Sequence, residues 1–388
     1  MQFNVPFGKP SIQEPEIAEV IDTLKSGWLI SGPKVKRFED EFAEYTGAKH
    51  AIALNSCTAA LQLSLVAAGI GPGDEVITTP LTFVATANAI VHAGAVPVFA
   101  DIDPETLNIS PERIEERITP RTKAVMPVHM LGRSADLDPI QELAAAQRIA
   151  VISDAAHATE THYHGAHVAT AGLASAFSFQ ASKTVTTGEG GMVTTSDDGM
   201  AHAIRVLRSH GLDKDAWRRA DEVRDSSYEA VEPGFNYRMS DIAAALGIHQ
   251  LRRAEEHLAV RERHVSRYDE AFAGTVELVR PSRLPAGHGN RHAQYLYTVQ
   301  LCLERLRIDR DQFVVALKSL GIGCGVHYRA VHLHRYYQDR FGLKRGDYPA
   351  AEHVSDRTFS LPLSAAMTSR DVDDVVEAVQ SVIGTNRR

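Results

Sequence analysis

The chain has 388 residues, 44% of them hydrophobic and 23% charged, with a formal net charge of −8. That length accommodates two domains with a large core, and the acidic balance excludes a nucleic-acid partner, whose phosphates need clustered Lys and Arg. Three cysteines, Cys57, Cys302 and Cys324, form no CxxC pair, a sparse, odd count that fits a reducing compartment.

The opening residues, Met1-Gln-Phe-Asn-Val-Pro, have no basic region followed by an apolar core, so no signal peptide is expected. The most apolar stretch, 84–100, is interrupted by Asn88, His92 and Pro97 and is too broken to span a bilayer. These features predict a cytoplasmic protein with no membrane partner. Apolar residues recur at Ile17, Val20, Ile21 and Leu24, a helical spacing over 14–26 closed by Ser26-Gly27. The loop Trp28-Leu-Ile-Ser-Gly-Pro33 follows; its tryptophan is either a packing anchor or a substrate-lining residue. A second helix, 34–46, carries Val35, Phe38, Phe42 and Tyr45 on its buried side.

A short strand, Ala51–Leu54, runs into Asn55-Ser-Cys-Thr58 and then a helix over 59–68. Strand, small polar turn and helix N-terminus form an anion-binding arrangement, because unpaired amides and the positive end of the dipole face the turn. A plain N-cap by Ser56 or Thr58 is the alternative. Strands at 75–79, 97–101, 124–128 and 150–153 alternate with helices, one of them at 84–92. The pattern predicts an α/β fold with a mainly parallel central sheet flanked by helices. Ligands of such sheets sit at the carboxyl ends of the strands, where Thr58, Phe83 and His129 fall. The strand 150–153 ends in Asp154-Ala-Ala-His157. An aspartate there suits a ligand carrying a positive nitrogen, or else caps a turn.

The alternating run Ala176–Phe179 reads as a strand leading to Lys183, flanked by Ser178 and Ser182; Gly188, Gly190 and Gly191 allow a tight turn into the strand Met192–Thr195. A lysine in such a place serves phosphate pairing or Schiff-base chemistry once its surroundings activate it; a hairpin with an exposed lysine is the plain alternative. A helix over 197–209 precedes a polar segment, 211–233, read as a mobile loop or lid. A helix from Asp241 runs beyond 260 and sets Arg252, Arg253, Arg261 and Arg263 on a solvated face. A strand at 295–301, a helix at 309–320, a strand at 322–328 and a helix at 369–383 make up a smaller α/β unit, giving a large domain of residues 1–250 and a small C-terminal domain of 251–388. Two histidine groups, His157/His162/His164/His167 and His327/His332/His334, match no common zinc spacing, so no metal is expected. There is no G-x-S-x-G elbow for a serine hydrolase.

Ten ordered segments resemble the DegT-type sugar aminotransferases, pyridoxal-phosphate enzymes of fold type I. They are Ser26-Gly-Trp-Leu-Ile-Ser-Gly-Pro33, Asn55-Ser-Cys-Thr58, Gly71-Pro-Gly-Asp-Glu75, Thr82-Phe-Val-Ala-Thr-Ala-Asn88, Asp154-Ala-Ala-His157, Phe177-Ser-Phe179, Lys183 with Gly188-Glu-Gly-Gly191, Arg208-Ser-His-Gly211, Gly234-Phe-Asn-Tyr237 and Gly321-Ile-Gly-Cys-Gly-Val-His-Tyr328. The tail from Val326 to Gly342 looks most like enzymes that aminate C4 of UDP-linked 4-keto sugars. The resemblance implies that Lys183 carries pyridoxal 5'-phosphate covalently, Asp154 pairs with the pyridine nitrogen and His157 lies near the phenolic oxygen. It places Phe83 on the ring, gives the phosphate to Cys57, Thr58 and Ser178 with help from Asn236 of the other subunit, and lines the sugar site with Phe7, Trp28, Ile30, His327 and Tyr328. Cys57 stands where glycine or alanine is frequent in the family, and His157 where glutamine is frequent, which bears on the fine geometry.

The activity so implied moves an amino group from L-glutamate to a keto nucleotide sugar in a homodimer with shared active sites, within the biosynthesis of cell-surface amino sugars. Lysine at 183 disfavours the related sugar dehydratases, which carry histidine there. An aminocyclitol aminotransferase on the same scaffold is the alternative, and a cofactor-binding regulatory protein without turnover is the reading from another class.

Overall fold

The computed structural model describes residues 2–212, 228–284 and 288–388. The middle of the segment expected to be a lid, 213–227, lies outside them. Among the described residues, the strands β1 His50–Leu54, β2 Glu75–Thr78, β3 Val96–Phe99, β4 Thr122–Met126, β5 Ala150–Asp154, β6 His162–Tyr163, β7 Ala166–His167, β8 Ala174–Ser178 and β9 Gly191–Thr195 precede β10 Leu278–Val279, β11 Tyr297–Leu301 and β12 Thr358–Leu361. Seven of them form a sheet in the order β1-β9-β8-β5-β4-β2-β3. Its neighbours pair in parallel from β8 across to β3, and β9 runs antiparallel to both β1 and β8. The fold is mixed α/β with a mainly parallel central sheet, as the alternation of elements predicts. β6 and β7 make a small ribbon, and β10, β11 and β12 a separate antiparallel sheet.

Side chains alternate across each strand, and the sheet uses both faces. From β8, Ala174 and Ala176 pack against helix Cys57–Ala67, while Phe177 points to the other face with Phe38 and Phe42 of helix Pro33–Thr46. The helix Cys57–Ala67 is apolar nearly all round and is buried on every side. Its N-cap is Ser56, whose hydroxyl accepts from the Ala59 N–H at 3.1 Å.

Helix Glu14–Ser26 starts and stops where the spacing predicts, and its apolar positions face outward. Ile17, Ile21 and Leu24 are exposed, and the buried positions are Glu16 and Thr23. Glu16 accepts from Gln250 and Arg253, so polar partners turn the helix inward on its charged side. The helix expected from Asp241 is two, Asp241–Arg252 and Ala254–Ala271, broken at Arg253. The solvated arginine face holds for Arg252 and Arg263, which are exposed, but not for the other two. Arg253 is largely buried on Glu16, and Arg261 is buried in an ion pair with Glu160 at 2.7 Å. Residues 322–328 form no strand, only single bridges from Ile322 to Val5 and from Gly325 to Ser360. Phe359 and Leu361 of β12 pack with Val5, Tyr297 and Phe313 in one core.

His129, expected at the ligand end of the sheet, is fully buried just beyond β4. Its backbone N–H donates to the Asp154 carbonyl at 3.0 Å, and its Nδ1 accepts from the Ala135 N–H at 3.1 Å. Burial pulls its pKa down from 6.5 to about 4. The unfolded chain therefore takes up this proton before the folded one does. The stability that neutral His129 supports is whole above its ordinary pKa and drains away as pH falls toward the folded value, a loss of about 3 kcal/mol. His129→Asn keeps an acceptor near the Nδ1 position and removes the titration. Its denaturant midpoint should fall less than that of the native protein between about pH 7 and about pH 4.5, as read by urea unfolding; equal falls would refute the assignment.

Candidate active site

The carboxyl ends of β5 and β8 open onto a cavity of about 450 Å³ whose walls bring together Cys57, Thr58, Phe83, Asp154, His157, Ser178, Lys183, His327 and Tyr328. These come from six stretches of chain, and the sheet is what gathers them: β5 delivers Asp154, β8 delivers Ser178, and the turn after β8 delivers Lys183.

Asp154 is the most constrained group. It is 5% exposed, and burial raises its pKa. Opposing that, Oδ2 accepts from the Thr86 hydroxyl at 2.7 Å and Oδ1 from the Ala156 N–H at 3.0 Å, and the Lys183 amine adds an attractive charge. The carboxylate is thereby aimed by two donors rather than left to turn.

Cys57 and Thr58 open the helix behind Ser56, so their backbone N–H groups belong to the first turn, which has no intrahelical acceptor. Gly191 presses against this turn: a Cβ there would come within 2.4 Å of the Ser56 carbonyl carbon. Only glycine lets β9 lie so close, which sets the helix N-terminus at the cavity edge beside Ser178. Burial raises the Cys57 thiol pKa, with the Asp154 charge adding to it, so the sulfur stays protonated.

On the opposite wall, His157 Nδ1 accepts from the Leu131 N–H at 3.2 Å. Burial, with the Lys183 charge and then His327, lowers its pKa well below the usual value. The neutral ring therefore carries its proton on Nε2, 3.0 Å from the Tyr328 hydroxyl oxygen. His327 Nδ1 lies 2.8 Å from the Ser360 hydroxyl, and burial pulls its pKa down to about 4. Phe83 is 57% exposed, an aromatic face turned to open space, with Tyr328 5.9 Å away.

Four residues singled out in the sequence do not line this cavity. Phe7 stands one layer back, stacked on His327 at 5.4 Å. Trp28 is half-buried in its own loop, its Nε1 donating to the Ser31 carbonyl at 3.3 Å, and Ile30 is exposed. That loop is tied down by Asp241, whose carboxylate accepts from the N–H groups of Gly32, Lys34 and Val35. Asn236 is exposed, its carbonyl taking the Asn55 amide at 3.4 Å and its Oδ1 the Arg238 guanidinium at 3.2 Å. The histidine groups disperse into separate hydrogen bonds: His167 to the Thr159 carbonyl, His332 to Glu352.

Among the wall residues that the sequence does not single out are Thr86 and Tyr295. Thr86 lies inside the quoted Thr82–Asn88 segment, one helical turn beyond Thr82, and its hydroxyl is what reaches Asp154. Tyr295 was read only as a strand start; it lies before β11, with the Lys183 Nζ 4.4 Å from its ring centroid. Its signal is a tertiary contact with no local pattern.

Residues 10–380 match the DegT/DnrJ/EryC1/StrS aminotransferase family. The chain is 50% identical over 380 residues to the spore coat polysaccharide biosynthesis protein SpsC of Bacillus subtilis, covering 98% of this chain and 97% of that one. Among solved structures it is similar to the PLP-form of Spr1654 from Streptococcus pneumoniae, 32% identical with a TM-score of 0.91 over 99% of both chains. It is also similar to PseC of Helicobacter pylori, an aminotransferase involved in the biosynthesis of pseudoaminic acid, 29% identical with a TM-score of 0.91 over 99% of this chain and 100% of that one. With the match spanning nearly its whole length, the chain belongs to the DegT/DnrJ/EryC1/StrS aminotransferase family.

Proposed function

We propose that the chain is a pyridoxal-phosphate-dependent aminotransferase that moves the amino group of L-glutamate to a keto nucleotide sugar, at C4 of a UDP-linked 4-keto sugar, in the making of a surface polysaccharide. The observation that carries this reading is the pairing, in one cavity, of a doubly hydrogen-bonded buried carboxylate, Asp154, with the amine of Lys183. The donor set suits the cofactor. The first-turn amides of Cys57 and Thr58 with the Ser178 hydroxyl offer a phosphate site at the positive end of a helix dipole. Asp154 offers an anion for a protonated ring nitrogen, and Phe83 a face for the ring. The polysaccharide assignment draws on the Bacillus subtilis relative.

Pyridoxal phosphate, when bound, supplies an electron sink for the carbanion left at the amino acid's Cα. Asp154 would hold a positive charge at the ring nitrogen, and Thr86 with Ala156 keeps its carboxylate aimed. The Lys183 amine, on the wall of the same cavity, would serve as the base and acid for the proton moved between carbon atoms. His157 presents its Nε2 proton on the cavity wall. Trp28, Ile30 and Asn236 would reach a cavity only from a second copy, and we assign Asn236 of the partner subunit to the phosphate. The exposed strip Ile17, Ile21 and Leu24 offers apolar surface for such a copy.

Lys183→Ala should abolish transamination. Borohydride should bleach a visible band of the native protein and fix the cofactor on Lys183, found by peptide mass; unchanged turnover in the variant would overturn the reading. Incubation with glutamate and a panel of UDP-keto sugars, followed by mass spectrometry, tests the acceptor, and a free cyclitol ketone that outcompetes them all would replace it.

Thr86→Val removes one donor from Asp154, so the carboxyl pKa moves further up. Activity needs the anion and is lost as pH falls through that pKa. The acid limb of kcat/KM should therefore shift to higher pH, with a loss of about 10-fold at neutral pH, the worth of a hydrogen bond to a charged group. A profile that superimposes on the native one would leave Thr86 as packing alone.

Asn236→Asp sets a carboxylate against the phosphate and should cripple cofactor binding. Mixed with Lys183→Ala under subunit exchange, it should restore roughly a quarter of native activity, because half the dimers hold one intact site. No recovery, with exchange confirmed by mass, would place Asn236 in its own chain's site.

A further inference from the structure

The amine of Lys183 has a second home besides the reacting centre. Its Nζ stands over the face of Tyr295, 4.4 Å from the ring centroid, and among the described residues no hydrogen bond or ion pair takes the amine. That distance is inside the range where an aromatic face attracts an ammonium, and the attraction grows when the pair is kept from water. Tyr295 is 5% exposed. Its other surroundings fix the ring: His157 lies 4.6 Å away, centroid to centroid, and the Tyr295 hydroxyl is 3.3 Å from the Ser182 hydroxyl.

The backbone behind the pair is clamped as well. Glu160 is fully buried; Oε2 accepts from the Thr184 hydroxyl at 2.9 Å, on the residue after the lysine. Its Oε1 takes the Arg261 guanidinium at 2.7 Å. Arg261 in turn donates to the carbonyls of Ala293 at 3.0 Å and Gln294 at 3.1 Å, the two residues before the tyrosine. One buried ion pair thus joins the chain that bears the lysine to the chain that bears the ring, and sets their separation.

The geometry points to Tyr295 as a positioning residue for the reacting lysine: its ring face holds the Lys183 ammonium beside the cavity whenever the amine is released, and the Glu160–Arg261 pair holds the ring. This rests on the reading of Lys183 as the cofactor's lysine. A flexible four-carbon stem would otherwise spread the amine over many positions, whereas on Tyr295 it stays at the mouth of the site between the two proton transfers.

Two readouts test it. In cofactor-free protein carrying 13C-labelled lysine, the Lys183 Hε resonance, identified by its loss in Lys183→Arg, should lie upfield under the ring. It should remain there in Tyr295→Phe and move to the ordinary lysine position in Tyr295→Leu. In the loaded enzyme, removal of the amino group from glutamate should fall about 10-fold in Tyr295→Leu, between what exposed and desolvated cation–π contacts are worth. It should survive in Tyr295→Phe, with an enlarged isotope effect for Cα-deuterated glutamate only in the leucine variant. Replacing Tyr295 by phenylalanines of increasing fluorination keeps the shape and empties the ring face, so the upfield shift and the rate should fall stepwise; this series decides the matter if the leucine variant does not fold. A Lys183 resonance that ignores residue 295, or leucine and fluorinated rings that work as well as phenylalanine, would overturn the inference. Failure of borohydride to label Lys183 in the native protein would instead remove the cofactor reading, and the resonance measurement would stand apart from it.

Discussion

A carboxylate taken out of water costs several kcal/mol unless its oxygens are matched by donors and a positive charge, and Asp154 is such a carboxylate. The surrounding structure supplies the donors and the positive charge that oppose the upward pull of burial on its pKa. The parallel strands put it at a sheet end where backbone donors are within reach, and its own backbone is held by the Pro127 carbonyl and the His129 N–H. Helix Val84–His92 is placed so that Thr86 meets one oxygen, and the turn after β8 brings the lysine. Two opposite charges at the rim of one cavity, each held by a separate framework, make a site that favours a ligand with both an anionic and a cationic end.

The periodic parts of the chain were legible. Strands such as β5 and β8, and the helix Val84–His92, follow from short apolar runs and alternation with no tertiary help. Asp154, Thr58 and Lys183 could be placed at strand and helix ends because chain order alone puts them there. What failed was the reading of faces. Apolar spacing in Glu14–Ser26 marked the correct helix, but the side that turns inward is chosen by Glu16 finding Gln250 and Arg253, some 230 residues later. Arg261 looked solvated for the same reason: its partner, Glu160, is 101 residues away. Tyr295 is invisible to any window that does not also contain Lys183.

Charge burial recurs away from the cavity and follows one rule. Glu39 takes the Ala53 N–H while Arg208 takes the Ala53 carbonyl and the Glu39 carboxylate. A helix, the edge strand β1 and the end of helix Asp198–Leu207 are locked by three polar contacts. Asp241 does similar work as a cap supplied from a distance, satisfying the first amides of helix Pro33–Thr46 across more than 200 residues of sequence. Removing one partner from such a set strands the other in a medium that cannot solvate it, so these positions tolerate paired change better than single change.

The edge strand carries a consequence for how the chain is made. Among the described strands β1 pairs in the sheet with β9 alone, and the first residue of β9 comes 137 positions after the last of β1, the difference between 191 and 54. On a ribosome working at 5–20 residues per second, the strand waits roughly 7 to 30 s for its partner. The bridge from Val5 to Ile322 closes later still. Segments made earlier are thus secured only when much later ones arrive, leaving the apolar run Ala51-Ile-Ala-Leu54 to be shielded in the meantime by the helices on either side of it or by a chaperone.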